Sequence, residues 1–262
     1  MSDWRPLAGP LAAWVCGEGS RLVFVHGFTQ TSASWKPIAS GFAADGYEVV
    51  VVDLPGHGRS TDVRADLRGA GDLLTETCGR SVYIGYSLGG RICLHAALDH
   101  PDLVRGLCLL GASPGMVDDD ERAARRRADD DLAAHIEQVG VAAFVDEWLA
   151  QPLFAGLELD DRQRAERLEN SAAGLASSLR MTGAGTQDPL WERLGELHMP
   201  VLAIAGALDH KYTATLREAA DVVRHARFEV IADAGHAAHL QDPACSSAIL
   251  RDWLAEITPR EG

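Results

Sequence analysis

The chain has 262 residues, of which 47% are hydrophobic and 24% are charged, and its formal net charge at pH 7 is -14. This composition is ordinary for a globular protein, and the length favours one large α/β domain over two independent ones. The acidic charge argues against nucleic acid and membrane surfaces as partners, because both require a basic face, but it leaves room for a small anionic substrate.

Three absences in the sequence limit its location and its chemistry. The N-terminal MSDWRPLAGP has no basic segment followed by an apolar one, so no signal peptide is predicted. No apolar run approaches the roughly 20 residues that cross a bilayer. The five cysteines are scattered, and no pair has metal-ligand spacing. We therefore predict reduced thiols, a cytoplasmic location, and neither a metal nor a cofactor, since a phosphate-binding loop is missing too.

Short apolar runs alternate along the chain with longer segments of helical periodicity. The predicted strands, which are rich in β-branched residues, are Leu22–Val25, Tyr47–Val52, Ser81–Ile84, Val104–Leu110, Val201–Ala205 and Arg227–Ile231. The predicted helices are Trp35–Ala44, Gly89–Asp99, Thr213–His225 and Ala244–Ile257. Apolar strands without polar alternation are typical of strands buried on both faces. The alternation predicts an α/β fold with a mostly parallel sheet flanked by helices.

Two loops follow the first two predicted strands. The first contains His26, Gly27 and Phe28, and we interpret the His26 side chain as a brace for this loop. The second, DLPGHGRS at 53–60, contains a proline and two glycines that fix its turns. We expect this second loop to shape a pocket rather than to take part in chemistry.

The third predicted strand leads into GYSLG at 85–89, a G-x-S-x-G pattern. Many chains contain this pattern by chance, but here a buried strand precedes it and a helix follows. That context predicts a sharp turn that exposes the Ser87 hydroxyl as the reactive group. The backbone amides of Phe28 and Leu88 are expected to stabilise negative charge on a nearby oxygen.

A segment without any predicted strand interrupts the alternation at 118–180, and the acidic and basic sequence DDDERAARRRADDDLA opens it. We predict a helical lid here, inserted into an α/β core formed by 1–117 and 181–262. Additional scaffold is the alternative. The position after a strand favours the lid, because ligands of open α/β sheets bind beyond the carboxyl ends of strands.

The base and the acid that a reactive serine requires follow the last two predicted strands. His236, in DAGHAAH, follows the last strand, and Asp209, in VLAIAGALDHKY, follows the strand before it. The alternatives are His239 as the base and Asp233 as the acid, although Asp233 lies on the same loop as His236. The predicted triad is Ser87, His236 as the base, and Asp209 as the group that orients the imidazole.

The motifs HGF, DLPGHGRS, GYSLGG, GALD and AGHAAH occur in this order, and the series resembles that of the α/β-hydrolase superfamily. Longer motifs, namely HGFTQTSASW, GYSLGGR, AARRRADDDLA, DEWLAQPLF, LRMTGAGTQDPLW and AGHAAHLQDP, resemble one subfamily. It comprises the menaquinone-pathway 2-succinyl-6-hydroxy-2,4-cyclohexadiene-1-carboxylate (SHCHC) synthases, lyases that eliminate pyruvate from an enolpyruvyl cyclohexene carboxylate. The resemblance implies that Ser87 acts as a base on the ring carbon α to the succinyl ketone, without an acyl-enzyme.

A small substrate with several carboxylates requires cations in its site. Arg91 lies four residues after Ser87, about one helical turn, and we expect it to face the pocket. The resemblance implies a second arginine within 125–127, which we assign to Arg125, although a solvated helix face is the alternative. It also implies three further substrate-binding residues: Tyr86, Trp148 and Arg167. For Arg167 the spacing differs from the family pattern, and Trp148 fits equally well into the apolar packing of a lid.

Two other functions are compatible with the same triad. One is hydrolysis of carboxylic esters or of C–C bonds, for which Arg91 and the arginines at 125–127 have no obvious use. The other is a non-catalytic binding protein, against which the complete set of serine, acid and histidine argues. The sequence contains no signal for an oligomeric state.

Overall fold

The computed structural model describes residues 3–257 and contains an eight-stranded sheet. The strands are β1 Arg5–Leu7, β2 Ala13–Cys16, β3 Arg21–Val25, β4 Glu48–Val52, β5 Ser81–Tyr86, β6 Val104–Leu110, β7 Val201–Gly206 and β8 Ala226–Ile231. Their order in the sheet is β1-β2-β4-β3-β5-β6-β7-β8. The β1–β2 and β2–β4 pairs are antiparallel, and the other five are parallel. The predicted α/β fold with a mostly parallel sheet is therefore confirmed.

Helices cover both faces of this sheet. They are α1 Lys36–Ala44, α2 Leu67–Cys78, α3 Leu88–Asp99, α4 Asp119–Leu149, α5 Asp161–Arg167, α6 Ala172–Thr182, α7 His210–Val222, α8 Ala238–Gln241 and α9 Pro243–Ile257. Apolar side chains of α2, α3 and α7 pack on one face, and those of α1 and α9 pack on the other. All six residues of β5 are buried, as expected of a strand covered on both sides. Within residues 3–257, no helix combines the length and hydrophobicity needed to cross a membrane.

Four elements were missing from the sequence-based prediction, one of them the four-residue helix α8. Strands β1 and β2 have three and four residues, too few for a period of two to stand out. Helix α2 contains Gly69 and Gly71, which weaken a helical pattern, and it begins after Asp66, whose carboxylate accepts a hydrogen bond from the Gly69 amide at 2.8 Å.

The predicted helical insertion forms α4, α5 and α6 between β6 and β7. Helix α4 has 31 residues and a kink at Gly140, where φ is 79°. The part of the insertion after α4 is divided into α5 and α6, because each begins with its own cap. Asp160 and Gln163 form a capping box before α5, and Ser171 accepts a hydrogen bond from the Gly174 amide before α6. Apolar side chains shared by α4 and α6 give the insertion a small core of its own.

Candidate active site

Ser87 is the single residue between β5 and α3, and its backbone has φ 50° and ψ -110°. Residues other than glycine adopt positive φ rarely and at a cost of about 1–3 kcal/mol. The neighbouring glycines permit this turn, because a Cβ at Gly85 would lie 2.6 Å from the Gly90 nitrogen. A Cβ at Gly89 would lie 2.4 Å from the Val25 carbonyl oxygen. The G-x-S-x-G pattern therefore sets how closely the strand and the helix approach each other.

We expect Gly89→Ala to lower the free energy of unfolding by about 3 kcal/mol or more, since the new methyl group meets rigid backbone. Urea unfolding of the two proteins measures this change. Gly195→Ala is the matched control, because a Cβ there has no heavy atom within 4 Å. Equal unfolding midpoints for Gly89→Ala and Gly195→Ala would show that the helix can shift without cost.

The side chains of Ser87, His236 and Asp209 form one hydrogen-bonded row. His236 Nε2 lies 3.0 Å from Ser87 Oγ, and His236 Nδ1 lies 2.7 Å from Asp209 Oδ2. His236 is 3% exposed and Asp209 9%, so the pair is shielded from water. A carboxylate only accepts hydrogen bonds, so Nδ1 carries the proton and Nε2 is free to accept the one from Ser87. This arrangement can remove the serine proton and stabilise the resulting imidazolium.

The structure also places the two alternative residues. Asp233 is exposed, and within residues 3–257 it makes no hydrogen bond to His236. His239 is fully buried, with its ring stacked on Trp35 at a centroid distance of 4.4 Å. His239 is therefore a packed side chain outside the hydrogen-bonded row. Asp209, and not Asp233, is the carboxylate that binds His236.

The two loops expected beside the serine are joined by His26. Its Nδ1 donates to the Gly27 carbonyl oxygen at 2.8 Å, and its Nε2 accepts from the Leu54 amide at 3.1 Å. Phe28 follows, and both Phe28 and Leu88 line the cavity in front of Ser87. Their backbone amides have no hydrogen-bond acceptor among the described residues, so both are available to an oxyanion.

Burial keeps two histidines beside this loop neutral. Desolvation lowers the pKa of His26 to about 4 and that of His57 to about 3. The two rings lie 5.0 Å apart, and the charge of one further disfavours protonation of the other. His57 Nδ1 lies 3.0 Å from the Pro55 carbonyl oxygen, to which it donates. Both imidazoles are therefore uncharged at neutral pH. In this form each ring has one nitrogen that donates a hydrogen bond and one that accepts.

We expect the free energy of unfolding to fall as pH drops below 6.5. The folded-state pKa values of His26 and His57 are depressed, so the unfolded chain takes up protons first, and each contributes a slope of about 1.4 kcal/mol per pH unit. The loss continues until the pH approaches the folded-state values near 4 and 3. Urea unfolding between pH 7.5 and 4.5 measures it. His57→Gln should flatten the slope, whereas the same change at the exposed His198 should not; equal slopes in both variants would contradict the assignment.

A cavity of about 310 Å³ lies in front of the triad, between the carboxyl end of the sheet and the insertion. The core side contributes Phe28, Ser87, Leu88, Arg91, Tyr212 and His236. The insertion contributes Arg125, Ala128, Asp129, Leu132, Trp148, Gln151, Leu153, Ser178, Leu179 and Thr182, followed by Gly183 and Ala184. The insertion therefore forms one wall of the cavity that Ser87 lines.

Two arginines line this cavity. Arg91 Nη1 is buried and has no hydrogen-bond partner among the described residues. Desolvation lowers the pKa of Arg91 to about 10, which still leaves it charged at neutral pH. Arg125 also lines the cavity, and its Nε donates to Asp129 Oδ1 at 2.8 Å. Since the exposed Arg126 and Arg127 do not line it, the structure places Arg125 at the cavity among the three arginines of that run.

The remaining predicted residues differ in where they lie. Trp148 lines the cavity, with its ring 5.3 Å from that of Phe28 and its buried Nε1 without a hydrogen-bond partner in residues 3–257. Tyr86 is buried beneath the triad, 5.3 Å from the His236 ring, and is not part of the cavity lining. Arg167 also lies outside that lining, because its Nη1 donates to the hydroxyl of Thr29 on the first loop.

Several polar residues of the cavity were missed by the sequence reasoning. Tyr212 lies in the first turn of α7, three residues after the acid of the triad. Asp129 lies one helical turn after Arg125, and its other oxygen accepts from the Gly185 amide at 3.2 Å. The i, i+4 spacing of arginine and aspartate did not single out this pair, because Arg126 and Arg127 also have an aspartate four residues on. Ser178 and Thr182 had no signal, since small hydroxyl residues are common on any helix.

Comparison with known proteins identifies the family to which this chain belongs. Residues 20–243 match the family model described as alpha/beta hydrolase fold. The 2-succinyl-6-hydroxy-2,4-cyclohexadiene-1-carboxylate synthase of Serratia proteamaculans is 32% identical over 91% of this chain and 95% of its own length. The synthase of the same name from Escherichia coli O1:K1 is 34% identical over 89% of this chain and 93% of its own.

Solved structures agree with these sequence relatives. The structure of MenH from S. aureus superposes with a TM-score of 0.87 at 29% identity, covering 94% of this chain and 98% of that one. A thermophilic esterase from Thermogutta terrifontis superposes with a TM-score of 0.79 at 22% identity, covering 97% of this chain and 99% of that one, which shows a shared fold alone. The chain is an enzyme of the α/β-hydrolase fold family and belongs, within that family, with the 2-succinyl-6-hydroxy-2,4-cyclohexadiene-1-carboxylate synthases.

Proposed function

We propose that this enzyme eliminates pyruvate from an enolpyruvyl succinyl-cyclohexene carboxylate to give SHCHC. The names of its relatives support the reaction. The observation that carries the proposal is the buried Nη1 of Arg91, which has no hydrogen-bond partner among the described residues, in a side chain that lines the same cavity as Ser87 and His236. A buried guanidinium nitrogen without an acceptor is costly unless a ligand accepts its hydrogen bond, and a substrate with several carboxylates does so.

The proposed reaction begins with proton transfer. Asp209 holds the His236 imidazole, whose Nε2 accepts the Ser87 proton, and Ser87 Oγ then removes the proton from the ring carbon α to the succinyl ketone. The electron pair moves to the ketone oxygen, where the Phe28 and Leu88 amides stabilise the enolate-like intermediate. Its collapse breaks the C–O bond to the enolpyruvyl group. The imidazolium returns its proton to the leaving group, which becomes pyruvate, and no acyl-enzyme forms.

The insertion supplies the rest of the proposed binding site. Arg125 and Arg91 both line the cavity and are assigned as carboxylate ligands, one from the insertion and one from the core. Arg125 already donates to Asp129, whereas Arg91 Nη1 has no hydrogen-bond partner among the described residues, so we assign the incoming carboxylate to Arg91 first. Trp148 and Phe28 form an apolar wall beside them. We propose that residues 118–180 act as a lid over a core of 1–117 and 181–262.

The test compares two activities of the purified protein, elimination of pyruvate and hydrolysis of esters. Pyruvate released from the enolpyruvyl precursor is measured by coupling to lactate dehydrogenase, and ester hydrolysis is measured with p-nitrophenyl acetate and butyrate. We expect pyruvate release that far exceeds ester turnover. Rapid ester hydrolysis without pyruvate release would instead establish the carboxylester hydrolase that the same triad permits.

A further inference from the structure

Tyr212 is a polar residue of the cavity that the proposed reaction does not yet use. Its ring packs beside the imidazole of His236, with centroids 4.6 Å apart. Its amide donates to Asp209 Oδ1 at 3.2 Å, so its backbone is fixed to the acid of the triad. The side chain therefore has a defined position beside the reactive row.

The hydrogen bond that Tyr212 forms within residues 3–257 is that of its amide, and its hydroxyl has no partner there, although the residue lines the cavity. The same is not true of Tyr83, a tyrosine of β5 outside the cavity, whose hydroxyl donates to the Gly79 carbonyl oxygen. Tyr212 is half-buried and lines the cavity, so a hydroxyl without a protein partner is free to bind a molecule that occupies the cavity.

The two cavity arginines act on this phenol. Burial raises the pKa of Tyr212, while the positive charges of Arg91 and Arg125 oppose that rise. Both guanidiniums are therefore close enough to Tyr212 for their fields to matter. The phenol stays protonated at neutral pH and offers an O–H donor. One neutral donor and two cations then border the same space.

We propose that the Tyr212 hydroxyl donates a hydrogen bond to the substrate carboxylate that Arg91 binds, and that Tyr212 is a specificity-determining residue for anionic groups. A carboxylate accepts about four hydrogen bonds, so a guanidinium and a phenol can share it. The inference rests on the proposed function for the identity of the substrate, and the geometry by itself predicts only the binding of a carboxylate. Tyr212 is thus assigned to recognition rather than to proton transfer.

The experiment measures binding of succinate, of monomethyl succinate and of neutral dimethyl succinate by calorimetry. These probes keep nearly the same shape while their charge is removed. Tyr212→Phe keeps the ring that packs on His236 and removes only the hydroxyl. We expect it to raise the Kd for succinate about tenfold, because hydrogen bonds to charged groups are the strong ones, and to leave the Kd for dimethyl succinate unchanged. With the enolpyruvyl precursor, KM should rise about tenfold and kcat stay within about threefold.

Tyr83→Phe is the matched control, since it also removes one hydroxyl but lies outside the cavity, and its succinate Kd should equal that of the wild type. The proposal is overturned if Tyr212→Phe binds succinate as the wild type does, or if the wild type binds no succinate. A loss of kcat without a change in KM would also overturn it, because that result assigns the hydroxyl to the reaction step. If succinate binding responds as expected but no pyruvate is released, the proposed function fails and the anion site remains.

Discussion

Ser87→Ala is expected to lower kcat for pyruvate release by about 10²–10⁴-fold, the usual contribution of a positioned general base. KM should stay within about threefold of the wild-type value, since the hydroxyl acts on the transition state and the carboxylates bind elsewhere. Steady-state kinetics with the enolpyruvyl precursor measures both parameters. A variant that retains more than a tenth of the wild-type kcat would remove Ser87 from the reaction.

Ser87→Gly separates loss of activity from loss of structure. It should be as inactive as Ser87→Ala, but we expect its free energy of unfolding to be about 1 kcal/mol higher, because glycine adopts a φ of 50° without strain. Alanine keeps the Cβ and therefore keeps the strain. Urea unfolding of the two variants measures the difference. Equal midpoints would mean that the turn at Ser87 is not strained.

Arg91→Met is expected to raise KM for the enolpyruvyl precursor by roughly 10–150-fold, the equivalent of about 1.5–3 kcal/mol for a hydrogen bond to a charged group. Methionine fills much of the same volume, so the protein should fold. Stability should hold or rise, because the unpaired Nη1 is a buried polar atom without a partner. Kinetics and urea unfolding test the two halves of this prediction.

Two further variants make the Arg91 result specific. Arg91→Lys should recover only part of the affinity, since an ammonium group lacks the planar fork that binds a carboxylate through two hydrogen bonds. Arg105→Met is the matched control, because Arg105 is an exposed arginine on β6. Its KM should equal that of the wild type. If Arg91→Met bound the precursor normally, the cavity would have to recognise its substrate through other residues.

The strands of the core were predictable because the sheet is buried on both faces. Burial on both sides requires continuous apolar runs, and the six runs that were assigned as strands are β3 to β8 with shifts of two residues or less at either end. Helix α2 was not predictable in the same way, since Asp66 and contacts with α3 stabilise a segment whose own pattern is weak. Packing against α3, rather than the periodicity of its own sequence, therefore stabilises helix α2.

The sequence predicted those residues of the site that directly follow a strand. Ser87, Asp209 and His236 each follow a strand, and the parallel sheet brings those ends to one edge. The insertion offered no such rule, because which face of α4 meets the core depends on packing. Arg125 therefore could not be separated from its neighbours by sequence. Likewise, the contact of Arg167 with the first loop spans 138 residues and leaves no local signal.

Single-turnover release of pyruvate, measured with enzyme in excess over the enolpyruvyl precursor, tests most directly whether a serine activated by histidine performs an elimination in this cavity. We predict one equivalent of pyruvate per precursor for the wild type, no release above background for Ser87→Ala on the same timescale, and no change in the mass of the protein during the reaction. Pyruvate release that is equal in the two proteins, or a covalent adduct on Ser87, would contradict it.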